Sequence, residues 1–279
     1  VCFLHAEAGP VPAIQVYRNG IEQERLMSFD LWKRAEADLC LGLSSSPLDK
    51  VVWEHSTRVA RVAGTIAALP ELAQRAIDRR ALTAAALYHD AGWVLQFRAG
   101  ESIPRDLLLR PTCDVQREMA AVWLSERLHG ELSDRSLELA ANSIRFCNDR
   151  QTTLTEAQIL AEAENLDEIG PQAIQLMIRR QMADGKTLAD MIQLWQRQEE
   201  YHYWQARIKD SFRFEPIRRI ATQRWQALRR FMLDLAECVN LEDITKLQCA
   251  AGIEVGTASS RVAYGVSPVA TALVDQRPG

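Results

Sequence analysis

Two histidines and an aspartate stand where a helical pattern should carry only apolar side chains. His55 falls on the stripe of Val52, Val59, Val62, Ile66 and Leu69, which recur at steps of three and four. In "TAAALYHDAGWV" (83–94), a run of small and apolar residues ends on His89-Asp90, and His89 continues the face of Leu82 and Ala85/Ala86. A buried imidazole next to a buried carboxylate is expensive unless each has a partner. Either they satisfy one another and nearby backbone, as core histidines and a capping aspartate, or they hold something that is not protein. Adjacent helical residues point about 100° apart, so His89 and Asp90 reach one point only if it lies off a helix end, where Ala91-Gly92 would stop the helix. A cation there would be met by imidazole and carboxylate together.

Other charged groups are candidates of a different kind. "ILAEAENLDEIG" (159–170) carries Glu162, Glu164, Asp167 and Glu168 with no basic residue among them, which on charge alone reads as a solvated helix face. From Arg197 to Arg230, eight arginines and Lys209 face four acids, a local excess of five positive charges on a chain of net charge −4. Arg145, Arg213, Arg218 and Arg224 have the fork that grips phosphate; the plainer reading of each is a surface residue or a structural ion pair. Trp195, Tyr201, Tyr203, Trp204 and Trp225 interleave with that charge, as core residues or as faces on which a base could stack. Arg58, three residues after His55, stands between a phosphate contact and a plain surface role.

The elements that must position these groups are helices. "SSSPLDK" is a helix-start signal, with Ser46 as cap and Pro47 in the first turn. Further helices are expected over 71–90, 114–129 and about 134–147. Thr155 with Gln158 has the form of a capping box opening a helix over 156–168. Others fit 171–184 and 187–209, and Glu215-Pro216 precedes a last long one to about 238. Alternating strand patterns are absent, so the body is read as all-α. Residues 1–26, with Gly9-Pro10, Pro12 and Asn19-Gly20, read as an irregular extension. Residues 241–279 read as a low-order tail, leaving one helical domain over 27–240.

Composition bounds the function. The 279 residues, 47% hydrophobic and 25% charged, describe a globular chain with a sizeable core. The small negative charge argues against a general nucleic-acid or membrane-surface binder, and no known RNA-binding motif accompanies the arginine stretch. No apolar stretch is long enough to span a bilayer, and the opening "VCFLHAEAGPVP" lacks the basic start of a signal peptide. Six cysteines without a CxxC pair read as reduced thiols. The expected compartment is the cytoplasm.

Taken in order, "EHSTRVARVA", "AALYHDAGWV" and "AEAENLDEIG" resemble the HD superfamily of metal-dependent phosphohydrolases, in particular its small HD-domain hydrolase branch. That family has a His on one helix, a His-Asp pair on the next and an Asp on a later one. "RIATQRWQALRRFM" is similar to the closing helix of that branch, so the resemblance spans about 45–235. It implies an all-α HD-type fold and metal ligation by His55, His89 and Asp90. Aligning "ENLDEIG" on the branch's "DxLDxIG" puts Glu164 at the fourth ligand position, where the family has Asp. Asp167, about one turn on, is the competitor.

The resemblance also implies one divalent ion rather than two. Where dinuclear members place further histidines, this chain has Gln116 and Cys147-Asn148. His129 and His202, in polar surroundings, read as surface residues. There is no GYP triplet of the cyclic-dinucleotide phosphodiesterases, and "HDAGW" lacks the acidic pair of the alarmone hydrolases. Two imidazoles and two carboxylates suit Mn, Fe, Co, Ni or Mg and leave positions for water and a substrate oxygen. The implied reaction is hydrolysis of a phosphate ester or anhydride of a nucleotide. His89 and Asp90 are its catalytic residues, Asp90 as ligand or as the group orienting the attacking water. The alternative is a degenerate member kept for binding or regulation.

Overall fold

The computed structural model describes residues 31–251, so the expectations for 1–26 and for 252–279 lie outside the described residues. Regular structure among them is helical: α1 (31–39), α2 (Val51–Ile66), α3 (Arg79–Tyr88), α4 (Ala91–Arg98), α5 (Asp114–Arg127), α6 (Asp134–Phe146), α7 (Thr155–Asp167), α8 (Pro171–Ala183), α9 (Leu188–Glu200), α10 (Tyr203–Ser211), α11 (Glu215–Val239) and α12 (Glu242–Ala250). The described residues contain no strand, in agreement with the all-α expectation, and their helices include none long and apolar enough to cross a membrane. They divide into two compact units, one of residues 31–108 and 112–160, the other of 109–111 and 161–251.

In the first unit α3 is the central helix, with α2, α5 and α6 packed on it. Its alanines make this possible. Ala81, Ala84, Ala85 and Ala86 are all fully buried, and a helix clad in methyl groups can be approached from several sides at once. Val52, Val59 and Ile66 of α2 are buried as the stripe read from the sequence expects, while Val62 is half-buried and Ala63 turns inward in its place. The lower end of α3 is tied down by Tyr88, whose hydroxyl donates to Asp38 Oδ2 at 2.7 Å. Arg127 reaches the same carboxylate with two nitrogens, at 2.6 and 3.1 Å.

Several helix ends depart from expectation, each for a local reason. Ser46 does not cap a helix: its Oγ accepts from Leu48 N–H (3.2 Å) and its carbonyl from Asp49 N–H (3.1 Å), so the signal closes a turn and α2 starts at Val51. The expected helix over 71–90 is interrupted. Pro70–Leu72 makes one 3-10 turn, and Asp78 opens α3 by accepting from the amides of Arg80 and Ala81. Thr155 is the first residue of α7 rather than its cap, and the Gln158 amide donates to the Thr152 carbonyl instead of closing a box. Nor does Gly92 end a helix. It lies inside α4, and a Cβ there would overlap the main chain of Gln116 in α5.

The second unit gathers α8 to α12 and the 161–167 end of α7. The helix expected over 187–209 breaks at His202, which takes a left-handed φ of 53° and separates α9 from α10. Trp195 and Trp204, one on each side of the break, are buried and serve the core of this unit. The start of α11 is held by Glu162, which is fully buried and accepts from the amides of Arg213 (2.5 Å) and Phe214 (3.3 Å). Helix α12 corrects the reading of 241–279 as low-order throughout. Its Ile244 and Leu247 are exposed, so no buried apolar stripe marks it in the sequence.

Candidate metal centre

His55 comes from the inward stripe of α2, while His89 and Asp90 occupy the two-residue joint between α3 and α4. His89 still has helical dihedrals; at Asp90 the chain turns (φ −103°, ψ 13°) before α4 begins. Adjacent side chains thereby reach one point. His55 Nε2 lies 3.2 Å from His89 Nε2 and 3.3 Å from Asp90 Oδ2, and the third edge, His89 Nε2 to Asp90 Oδ2, is 3.4 Å. All three residues are buried. The cluster belongs wholly to the first unit.

Hydrogen bonds on the outer atoms fix what points inward. His89 Nδ1 is 2.9 Å from the carbonyl of Ala86. A carbonyl only accepts, so Nδ1 carries the proton and a neutral ring offers its Nε2 lone pair to the cluster. Asp90 Oδ1 accepts from the Thr112 hydroxyl at 2.5 Å, and that hydroxyl accepts from Trp93 Nε1–H at 3.0 Å. Burial pushes the Asp90 carboxyl up, but positive charge on His89 and His55 when they are protonated, together with the His55 and Thr112 hydrogen bonds, holds it well below the usual carboxylate range. It is a carboxylate, facing two imidazole nitrogens.

This donor set fits a divalent cation. An imidazole lone pair and a carboxylate oxygen repel at such separations unless positive charge lies between them, and one proton serves only one edge of a triangle. The centre of a triangle with these edges is about 1.9 Å from each corner, close to the roughly 2.0–2.2 Å of metal bonds to imidazole and carboxylate. The three ligand atoms lie within 4.8 Å of one another.

The remaining sequence candidates fall into place as follows. Glu164, half-buried, and Asp167, buried, sit on the 161–167 end of α7, in the second unit. With Glu162 fully buried as well, this segment is not the solvated acidic face that its charge suggests. Arg145 forms a fork with Glu118 (2.7 and 2.8 Å), Arg218 bonds Glu215 (2.9 Å) and the Phe212 carbonyl (2.6 Å), and Arg224 bonds the Leu166 carbonyl (2.7 Å). Arg213 contributes its amide to Glu162, and Arg58 is half-buried on α2. Gln116 accepts from Cys113 N–H at the start of α5 and donates to Gln96, while Cys147 lies 2.6 Å from an Arg117 nitrogen. His129 and His202 are exposed. Thr112 and Trp93 are the additions that sequence reasoning missed, since a lone Thr before a helix carries no signal of its partner 22 residues away.

Residues 52–169 match the family model of the HD domain. The chain carries an HD domain. The matched segment runs from α2 to just beyond α7 and contains His55, His89, Asp90, Glu164 and Asp167; α8 to α12 lie outside it. HD domains bind divalent metals and are usually metal-dependent hydrolases, and the His55, His89 and Asp90 cluster is a group that could hold such an ion. No curated protein and no solved structure matches the chain.

Proposed function

We propose that this protein is a metal-dependent phosphohydrolase acting on a phosphate ester or anhydride of a nucleotide, with one divalent ion per chain. The observation that carries the reading is the triangle of His55 Nε2, His89 Nε2 and Asp90 Oδ2, with edges of 3.2–3.4 Å. Glu164 is our choice for a fourth ligand, with Asp167 the competitor. Manganese, iron, cobalt, nickel and magnesium all suit a mixed set of imidazoles and carboxylates.

Each residue of the chain has a definable task. When bound, such a cation lowers the pKa of water and takes up charge on phosphoryl oxygens. His89, its Nδ1–H held by the Ala86 carbonyl, keeps Nε2 directed at the cation site. His55 offers the second nitrogen from the facing helix. Asp90 supplies negative charge through Oδ2, and the burial of all three keeps bulk water from competing for them. Arg58, Arg145, Arg213, Arg218 and Arg224 are the candidates for gripping the substrate's phosphate. Arginine suits that task through its planar fork. Cys40, Cys113, Cys147, Cys238 and Cys249 are thiols rather than disulfides, which suits a reducing, cytoplasmic setting.

The test is metal content of the purified protein, followed by hydrolysis of a model phosphoester and of nucleotides with manganese, cobalt or nickel. His89→Ala and Asp90→Ala should each abolish metal binding and turnover together. Glu164→Ala should lose most of the metal while Glu164→Asp retains it; loss on Asp167→Ala instead would move the fourth ligand by one turn. A metal-saturated wild type that turns over none of these substrates would refute the catalytic reading.

A further inference from the structure

We infer that Thr112 is a positioning residue that makes Asp90 a one-oxygen ligand, and that Trp93 sets the direction of the Thr112 hydroxyl. The inference rests on the reading of His55, His89 and Asp90 as a cation site and adds to it two residues outside the ligand set. An indole N–H can only donate, so the 3.0 Å contact from Trp93 Nε1 makes Thr112 Oγ1 an acceptor. An ionised carboxylate can only accept, so the one hydroxyl proton goes to Asp90 Oδ1 at 2.5 Å. This chain has a single consistent direction, from Trp93 through Thr112 to Asp90. All three side chains are buried, which removes water as an alternative partner.

The consequence lies in the torsion it controls. The terminal torsion of an aspartate is broad and roughly two-fold, so an unrestrained Asp90 could offer either oxygen, or both. With Oδ1 engaged by Thr112, Oδ2 is the oxygen left beside His55 Nε2 and His89 Nε2, at 3.3 and 3.4 Å. A carboxylate held to one contact occupies one position on the cation rather than two, which keeps a position free for a substrate oxygen. Thr112 itself is fixed by location. It immediately precedes Cys113, the N-cap of α5, whose amide is bonded by Gln116, and α5 crosses α4 closely at Gly92.

The experiment is a cobalt(II) titration of the full chain, wild type and Thr112→Val, Thr112→Ser, Trp93→Phe and the Val/Phe double variant, read by affinity and by the visible spectrum. Thr112→Val keeps the shape of threonine without its hydroxyl and should weaken cobalt binding about 10- to 100-fold, the usual effect of losing a partner behind a ligand. Its spectrum should change, because the coordination changes. Thr112→Ser restores the hydroxyl and should return both to the wild-type values. Trp93→Phe should weaken binding less, and the double variant should match Thr112→Val rather than add to it, since Trp93 acts through Thr112. If Thr112→Val fails to fold by circular dichroism, Thr112→Ala takes its place. A folded hydroxyl-free variant with wild-type affinity and spectrum would overturn the inference alone, as would additive losses in the double variant. Wild type that takes up no cobalt would overturn the reading of the site and this inference with it.

Discussion

Replacing Gly92 by alanine should destabilise the protein, although the same change in an exposed helix interior stabilises. Built on the Gly92 backbone, a Cβ would stand 2.8 Å from both the carbonyl carbon and the Cα of Gln116. Carbon contacts settle at about 3.5–4.0 Å, so α4 and α5 would have to part by about 1 Å. The obstacle is main chain rather than the flexible end of a side chain, so no rotamer change relieves it. Overpacking of this kind costs about 1–3 kcal/mol, against which alanine regains up to about 1 kcal/mol of helix propensity over glycine. The net expectation is a loss of up to about 2 kcal/mol. Gly64 supplies the control, since it is exposed inside α2 and a Cβ there would meet nothing within 4 Å. Urea unfolding of Gly64→Ala should therefore show a gain of about 0.5–1 kcal/mol, and Gly92→Ala a loss. Cobalt affinity should fall with Gly92→Ala only, because parting α4 from α5 also pulls Thr112 from Asp90. Equal stabilisation by the two substitutions would refute the argument from helix crossing.

Two other substitutions probe the frame around the site. Tyr88→Phe removes the hydrogen bond to Asp38 but leaves that carboxylate its arginine; urea unfolding should show a loss of about 1–2 kcal/mol, and an unchanged midpoint would mean that Arg127 alone secures Asp38. Burial pushes Glu162 up to about 7, with the Arg213 and Phe214 amides opposing it, so the folded chain binds the extra proton between about 4.3 and 7. Stability should fall as pH rises through that window, by on the order of 3 kcal/mol, and the slope should vanish in Glu162→Gln; a slope that survives the substitution belongs to another group.

Much of the first unit was legible because its signals are one-dimensional. The stripe from Val52 to Ile66 and the small residues of α3 specify which faces turn inward, and burial of His55 and His89 follows from their places in those patterns. Helix ends were read less well because a capping residue and a turn residue look alike. Ser46 could start a helix, but here it closes the turn that precedes one. Asp78 gave no helical signal until its amide partners, Arg80 and Ala81, were in place. The acidic segment misled for a further reason. Charge predicts solvent only when no main-chain donor is brought to it from far along the chain, and Glu162 meets the amides of residues 51 and 52 positions away.

The His-Asp pair shows where local reasoning was right in its premise and incomplete in its geometry. Two neighbouring side chains on one unbroken helix diverge, which is why a shared target off the helix end was required. The chain meets that requirement without stopping. It leaves helical geometry at Asp90 alone and resumes it at Ala91, so the two side chains converge while both flanking helices stay packed. Gly92 is what allows the second helix to begin so soon, since any side chain there would drive α4 away from α5. That same crossing delivers Thr112, at the start of α5, to the far oxygen of Asp90. The dipeptide and the glycine two residues beyond it thus form one device: the joint aims two side chains inward, and the absent side chain lets the neighbouring helix fix one of them from behind.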